Sequence, residues 1–347
     1  MKELKLALLG FGNAGQAFGR LLLEKQEKIR DTYKTDVVVT AIATASKGNI
    51  YNPEGVDLAA ALEDVEKNGR FSESHKLTQM DTMELAEKAD YDVLIEMTPL
   101  NIFTGQPAAD HIKTAFARGK HAITANKGPV AWFFRDLAAM AREAGVCFFY
   151  ETTVMDGTPV FNLAEHTLKM AEVTEVSGIL NSTTNYILEG LALGIDYDDI
   201  MERGRSLGFI EADPAMDIEG YDAAAKITAL LNVLMDAGIT PDQVKRKGIE
   251  DITVKDIKEA ASRGKVIKLL CKGVRKEDGS VEATVGPVEV AKDDILAGIN
   301  STTSIVSITT DLMKKVSIIE HEPEIEQTAY GVFGDLLRVL DCVSADI

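Results

Sequence analysis

Cysteine and basic charge are scarce in this sequence, and each shortage argues against a class of protein. The 347 residues include 3 cysteines, widely spaced and without a Cys-x-x-Cys pair. This pattern argues against a disulfide framework or a structural zinc site and favours a reducing, cytoplasmic setting. Lys and Arg number 37 against 55 Asp and Glu, which gives a net charge of −18. We expect no nucleic-acid partner, because neutralising phosphates requires a basic face.

Long hydrophobic runs are also missing. The apolar stretches, such as 91–97, fall far short of the roughly 20 residues that cross a bilayer. The amino-terminal apolar run leads directly into glycines, without the cleavage site of a secretory signal. We expect a soluble globular protein with no membrane partner, in keeping with 46% hydrophobic and 27% charged residues.

Length and hydrophobic patterning indicate two domains. In the first, strand-like runs alternate with helical spacing, which predicts a doubly wound, mostly parallel sheet. The predicted strands are 4–9, 37–43, 91–97, 122–125 and 147–150, and the predicted helices are 14–30, 82–89, 108–118 and 131–144. The polar region 46–80 is predicted to be an insertion.

The pattern changes at about residue 151, where an α+β domain with antiparallel strands is predicted. Its predicted helices are 158–171 and 221–236, and its predicted strands are 173–180, 266–275, 281–291 and 302–309. The last helical stretch, 327–340, is expected to pack back on the first domain. The predicted domains are therefore 1–150, completed by a helix at about 326–347, and 151–325.

A glycine motif follows the first predicted strand. Gly10, Gly12 and Gly15 fit the pattern G-x-G-x-x-G, with Asn13 and Ala14 before the third glycine. Between a strand and a helix, such glycines allow a tight turn, backbone approach to a pyrophosphate and close helix packing. The motif predicts a Rossmann-type dinucleotide site formed by these five residues. The alternative is a glycine turn without a ligand.

The residues after the second and third strands bear on the cofactor. A site for NAD places Asp or Glu after the second strand, whereas Ser46 and Lys47 stand there in this chain. A hydroxyl and an ammonium can bind the 2′-phosphate of NADP, so the sequence favours NADP, with NAD as the alternative. Thr98 and Pro99 follow the third parallel strand, where the chain is expected to turn across the cofactor crevice, and a plain loop proline is the alternative.

Two stretches carry candidate chemistry. Lys127 follows the fourth strand, where an ammonium can bind an anion or move a proton, although a solvated surface lysine is the alternative. Five carboxylates and a lysine lie within residues 211–226. In that stretch Asp222 and Lys226 are four residues apart on one predicted helix, hence neighbours. Apolar residues flank Lys226, which favours a partly buried functional pair over a surface ion pair.

These stretches resemble the homoserine dehydrogenase family over nearly the whole chain. The matching segments are GFGNAG from residue 10, TANKGP at 124–129, ETTVMDGTP at 151–159, NSTTNYIL at 181–188 and the array E-A-D-P-x-x-D-I-x-G-x-D-x-x-x-K from 211 to 226. The resemblance implies hydride transfer between a nicotinamide cofactor and L-homoserine or L-aspartate 4-semialdehyde. It also implies a place in amino-acid biosynthesis towards threonine and methionine.

The resemblance also implies roles for individual residues. Asp222 and Lys226 would stand at the reacting oxygen, with Lys127 as a second lysine near substrate and nicotinamide. The substrate-binding residues implied are Glu211, at the amino group, with Asp217, Thr183 and Tyr186. A sodium ion is implied at Glu151 and the carbonyls of Val154, Asp156 and Thr158. Pairing as a homodimer through the second domain is implied as well.

Two departures from the family pattern keep other functions open. Ser182 replaces a usual glycine, and the acidic stretch 321–327 replaces a glycine-rich turn before Thr328. The alternatives are a related NAD(P)-dependent oxidoreductase acting on another amino-acid-like substrate and a nucleotide-binding protein without catalysis. No carboxy-terminal regulatory domain is expected, so feedback control through one is not predicted.

Overall fold

The computed structural model describes residues 2–208, 210–211 and 213–345, and it divides the chain into two compact units. The first unit comprises Met1–Pro159 with Glu324–Ile347, and the second comprises Val160–Pro323. The division therefore falls after Pro159, whereas the sequence had placed it after Tyr150.

The first unit is built on a seven-stranded sheet in the order β4-β3-β2-β1-β5-β6-β7. The strands are β1 Lys2–Leu9, β2 Thr35–Ala43, β3 Asn49–Tyr51, β4 Leu77–Thr78, β5 Val93–Glu96, β6 His121–Thr124 and β7 Phe148–Phe149. The pairs β1–β2, β1–β5, β5–β6 and β6–β7 are parallel, and the pairs β2–β3 and β3–β4 are antiparallel. The predicted doubly wound, mostly parallel sheet is confirmed.

Six helices of the described chain belong to this unit. They are α1 Asn13–Tyr33, α2 Leu58–Asn68, α3 Thr82–Lys88, α4 Ala108–Ala117, α5 Lys127–Ala144 and, at the end of the chain, α12 Ile325–Ala345. The region 46–80, expected as an insertion, contributes α2 and the antiparallel edge strands β3 and β4. Because those strands are two or three residues long, their alternation is too short to be read from sequence.

The core of the first unit explains why the last helix returns to it. Leu6 and Leu8 of β1 are fully buried, and they share one apolar cluster with Phe18 of α1 and with Val332 and Leu336 of α12. Burying such side chains stabilises the fold by roughly 1.5–3 kcal/mol each. The expected packing of the terminal helix on the first domain is confirmed.

The second unit is an α+β body with a six-stranded sheet in the order β13-β12-β8-β10-β11-β9. Its strands are β8 Val173–Ile179, β9 Lys245–Arg246, β10 Lys265–Arg275, β11 Val281–Ala291, β12 Ser304–Thr310 and β13 Lys314–Glu320. Its helices are α6 Val160–Thr167, α7 Ser182–Ala192, α8 Tyr197–Ser206, α9 Ala215–Ile218, α10 Tyr221–Met235 and α11 Val254–Ser262. Except for β9 on β11, the strand pairs are antiparallel, as predicted.

Within the part of the chain that the structure describes, no helix is both long enough and apolar enough to cross a membrane.

One glycine of α12, Gly331, allows this helix to cross the segment that follows β7. A Cβ atom added to Gly331 would overlap Oγ1 of Thr152 and lie 2.8 Å from the Cα atom of Gly157. Gly331 is buried, so neither neighbour can move into solvent. Gly334, one turn further along the same helix, has no heavy atom within 4 Å of such a Cβ.

Replacement of these two helical glycines should have opposite effects. Gly331→Ala forces backbone and a buried hydroxyl apart, and we expect it to lower the free energy of unfolding by about 1–3 kcal/mol. Gly334→Ala should be neutral or raise it by up to about 1 kcal/mol, because alanine is the better helix former. Urea denaturation of both variants measures the difference, and equal effects would contradict the described packing.

Candidate active site

The glycine motif forms the turn between β1 and α1. Gly10 has φ +105°, its N–H donates to the carbonyl of Ala43 at 2.9 Å, and a Cβ there would overlap the carbonyl of Met97. A Cβ on Gly15 would lie 2.6 Å from the carbonyl oxygen of Gly10. Only glycine fits at these two positions, so the turn and the close start of the helix depend on them.

The second glycine of the motif lies against open space. Gly12 caps the amino terminus of α1 without a side-chain hydrogen bond, and no heavy atom lies within 4 Å of a Cβ built on it. Asn13 and Ala14 follow as the first helical residues, and the first N–H groups of a helix have no partner within it. Backbone donors and a helix amino terminus beside an uncrowded glycine fit a dinucleotide pyrophosphate.

The end of β2 is where the sequence placed it, at Ala43. A tight turn follows, in which the Lys47 N–H donates to Oγ1 of Thr44 at 2.8 Å and Thr44 Oγ1 donates to the carbonyl of Gly48 at 2.8 Å. Ser46 is exposed on this turn and Lys47 is half-buried. Residues 44–48 include no carboxylate, so the turn carries no negative charge.

Thr98 and Lys127 lie after the ends of two neighbouring parallel strands of the first unit, β5 and β6. Thr98 follows β5, and its carbonyl accepts a hydrogen bond from Nδ2 of Asn126 at 3.2 Å. Oδ1 of Asn126 accepts from the N–H of Gly128 at 3.0 Å and caps α5. Lys127 is therefore the first residue of α5 and is half-buried, and its role at the site stays a prediction.

In the second unit, Asn181 joins two of the predicted carboxylates. Its Nδ2 donates to Oδ1 of Asp217 at 2.6 Å and to Oδ2 of Asp222 at 3.0 Å. Its Oδ1 accepts from the N–H of Thr184 at 2.8 Å and so caps α7. Asn181 was not among the predicted site residues. The available signal was its place as a helix-capping residue directly after β8.

Lys226 completes this cluster, which we call the Asn181 cluster: Asn181, Asp217, Asp222 and Lys226. Nζ of Lys226 lies 2.9 Å from Oδ2 of Asp222 and donates to the carbonyl of Leu180 at 2.8 Å. The side chains of Lys226 and Asp222 are only 21% and 14% exposed, so this is not a solvated surface pair. The prediction that the two residues pair on one helix, now α10, is confirmed.

Burial and charge perturb the Asn181 cluster. Burial, followed by the neighbouring carboxylate of Asp222, raises the pKa of Asp217, while hydrogen bonds from Asn181 and Thr183 and the charge of Lys226 act in the opposite direction. Behind the cluster, burial raises the pKa of the Cys271 thiol to about 12. That thiol stays protonated at neutral pH and is no nucleophile.

The other substrate-site candidates lie in different surroundings. Thr183 is buried beside Asp217, and Tyr186 is half-buried one turn further along α7. Glu211 is exposed. The structure thus brings together Asp217, Asp222, Lys226 and Thr183. The role of Glu211 at the substrate stays a prediction.

The residues predicted to hold sodium form a turn in the first unit. Glu151 is buried and its N–H donates to Oδ2 of Asp335 at 2.9 Å, while Val154 is also buried. Asp156 has φ +48° and its Oδ1 accepts from the Thr328 hydroxyl at 2.6 Å. The N–H of Thr158 closes the turn onto the carbonyl of Met155. No group of three or more His, Cys, Asp or Glu suited to a metal occurs in the described chain, and the sodium site stays a prediction.

The two departures from the family pattern look different in the structure. Ser182 is the first residue of α7 and lies in helical conformation, without a positive φ. The acidic stretch 321–327 is partly helical, because α12 begins at Ile325, ahead of Thr328. Glu326 lies in the first turn of α12, where the helix dipole favours a negative charge.

The raised pKa of Asp217 predicts how stability changes with pH. The native protein binds this proton more tightly than the unfolded chain, so ionisation lowers the free energy of unfolding as pH rises above the ordinary value of 3.8. Asp217→Asn removes that penalty and still accepts from Asn181. We expect its Tm, relative to the unsubstituted protein, to be higher at pH 7 than at pH 4. The exposed Asp213→Asn should show no such increase, and a decrease for Asp217→Asn would contradict the assignment.

Comparison with known proteins agrees with this arrangement. Residues 159–337 match the family model described as homoserine dehydrogenase, and residues 10–151 match the homoserine dehydrogenase NAD binding domain. The chain is 33% identical to an NAD(+)-dependent homoserine dehydrogenase of Pseudomonas canavaninivorans, over 98% of this chain and 97% of the relative. It is 35% identical to a homoserine dehydrogenase of Methanocaldococcus jannaschii, over 96% and 98%.

A solved structure extends the comparison to the fold. A hyperthermophilic archaeal homoserine dehydrogenase in complex with NADPH superposes with a TM-score of 0.82 at 25% identity, covering 97% of each chain. Both units are thus matched in sequence and in fold. The chain belongs to the homoserine dehydrogenase family of NAD(P)-dependent oxidoreductases.

Proposed function

We propose that this protein interconverts L-homoserine and L-aspartate 4-semialdehyde and prefers NADP to NAD. The observation that carries the proposal is the Asn181 cluster, in which one ammonium and two carboxylates are held by short hydrogen bonds. A cluster of this kind suits a small zwitterionic substrate, because it offers both signs of charge in a partly buried place.

The chemistry needs a proton at the reacting oxygen. A bound nicotinamide cofactor supplies or accepts a hydride at the carbon that is aldehyde in one substrate and alcohol in the other. Reduction leaves an alkoxide on the substrate, which an ammonium can stabilise and protonate. Nζ of Lys226 is held by Asp222 and by the Leu180 carbonyl, and it is the ammonium of this cluster that is proposed to meet the substrate oxygen.

Asp222 has a supporting part in this account. Its carboxylate, 2.9 Å from Nζ of Lys226, favours the protonated lysine and fixes the direction of its N–H groups. Asp217 and Thr183, beside it, are proposed to bind the substrate, as are Glu211 and Tyr186. Lys127 is proposed as a further residue of the reaction on the family resemblance alone. The homodimer stays a prediction.

The preference for NADP rests on the turn after β2. Ser46 and Lys47 offer a hydroxyl and an ammonium, and the turn lacks the carboxylate that would repel a 2′-phosphate. One similar structure contains NADPH, while one similar relative is described as NAD(+)-dependent, so the family includes both choices. The proposal that this chain prefers NADP therefore rests on the residues of its own β2 turn.

Turnover of the unsubstituted protein tests the function directly. NADPH oxidation with aspartate 4-semialdehyde and NADP reduction with L-homoserine are followed by absorbance, each repeated with the NAD forms. We expect turnover of both substrates and a higher kcat/KM with the phosphorylated cofactors. NADPH binding without turnover of either compound would contradict the function and favour another substrate or a non-catalytic role.

Removal of the ammonium tests its part in the reaction. Lys226→Ala should lower kcat by about a hundredfold to a thousandfold, because the alkoxide loses its charge partner and proton donor. NADPH affinity should stay unchanged. The matched control is Lys247→Ala, which removes a lysine whose side chain is 60% exposed from the same kind of i,i+4 pair and should leave kcat intact. Equal losses of turnover and NADPH affinity would show that Lys226 is structural.

Removal of the cation at the β2 turn tests cofactor choice. Lys47→Ala should raise KM for NADP by about tenfold, since a charge-assisted bond to the 2′-phosphate is lost. KM for NAD should not rise. Lys28→Ala, on an exposed position well along α1, removes the same charge and should change neither value. A parallel rise for both cofactors would contradict the proposed phosphate contact.

A further inference from the structure

A fully buried carboxylate and imidazole lie side by side beneath the turn that follows β5. Glu96, the last residue of β5, and His111, on α4, both have side chains with 0% exposure. Nδ1 of His111 lies 2.5 Å from Oε2 of Glu96. Neither residue belongs to the glycine motif or to the Asn181 cluster, and no step of the proposed reaction uses either.

The other oxygen of Glu96 holds the turn itself. Oε1 accepts from the backbone N–H of Thr98 at 2.7 Å and from the Thr98 hydroxyl at 2.5 Å. A carboxylate can only accept, so the N–H at Nδ1 of His111 is the donor to Oε2. The other ring nitrogen, Nε2, lies 2.9 Å from the hydroxyl of Thr82. One carboxylate therefore connects the imidazole to both polar groups of Thr98.

The same hydrogen-bond chain continues to the start of α5. The carbonyl of Thr98 accepts from Nδ2 of Asn126 at 3.2 Å, and Asn126 caps the helix that begins with Lys127. Three elements, α4, β5 and α5, are thus connected through the backbone of Thr98. This turn lies at the carboxyl ends of neighbouring parallel strands, where dinucleotides bind in sheets of this type.

Burial of the Glu96 carboxylate costs free energy, and packing alone gives no reason for a charged group at this position. A buried ionised carboxylate loses its hydration, and apolar side chains of similar volume are commonly as stable or more stable in such places. What the polar pair provides instead is orientation: two directed bonds fix the position of Thr98 N–H and hydroxyl, and a third fixes the carboxylate. Apolar side chains would leave the turn free to shift.

We propose that His111 is a positioning residue that acts through Glu96 to hold Thr98 in the conformation that receives the nicotinamide cofactor. The inference rests on the proposed function in one respect, namely that Thr98 contacts the cofactor. His111 itself touches neither cofactor nor substrate.

Two substitutions of His111 distinguish the contributions of the two ring nitrogens. In His111→Asn, the amide nitrogen can take the place of Nδ1 and still donate to Glu96. In His111→Gln, the longer amide reaches the place of Nε2, near Thr82, and the donor to Glu96 is lost. Both variants remove the ring and leave a neutral amide in the same pocket, so they are matched for the loss of packing.

The measurement is NADPH binding to the full chain, followed by fluorescence without substrate. We expect His111→Gln to weaken binding by about tenfold, the size of one lost charge-assisted bond, and His111→Asn to keep nearly the affinity of the unsubstituted protein. Hydrogen exchange at the Thr98 amide should be faster in His111→Gln and unchanged in His111→Asn. A purely structural role would instead lower Tm and affinity alike in both variants, and that result would overturn the inference.

A third variant, at Glu96, covers the case in which His111→Gln does not fold. Glu96→Asp keeps the charge but shortens the side chain by one methylene, so one carboxylate cannot reach both Thr98 and His111. It should weaken NADPH binding as His111→Gln does, and unchanged binding would overturn the inference. Failure of the proposed function is recognised separately, as NADPH binding by the unsubstituted protein without turnover of aspartate 4-semialdehyde or homoserine.

Discussion

The charge balance of the Asn181 cluster depends on the ammonium of Lys226. Two carboxylates, Asp217 and Asp222, share the amide of Asn181, and without a cation beside them burial would force a proton onto one. Lys226 lies 2.9 Å from Asp222 and is anchored on the other side by the Leu180 carbonyl. The contacts that stabilise the cluster in a partly buried place also fix the direction of the lysine side chain, as the proposed chemistry requires.

The candidate site of the first unit differs, because it consists of backbone groups more than of charged side chains. Glycines at 10 and 15 allow β1, α1 and the end of β5 to approach, and Gly12 leaves the helix amino terminus uncovered. Buried polar bonds from Glu96 then fix the next turn of the crevice. The first unit thus offers a dinucleotide its shape and its fixed backbone donors.

Local patterns predicted much of this arrangement. The glycine motif gave the β1–α1 turn, and the i,i+4 spacing gave the Asp222–Lys226 pair, since both signals lie within a few residues. Asn181 and the Glu96–His111 pair were missed because their partners are far away in sequence and no periodicity connects them. The strand β13 and the helices α7, α8 and α11 were also missed.

The central claim is that Lys226 meets the reacting oxygen of the substrate. A crystal structure of the protein with bound L-homoserine tests it most directly. The account predicts the side-chain hydroxyl oxygen of homoserine within about 3 Å of Nζ of Lys226, with the bond from Lys226 to Asp222 retained. Homoserine bound with its hydroxyl group away from Lys226 would contradict the account.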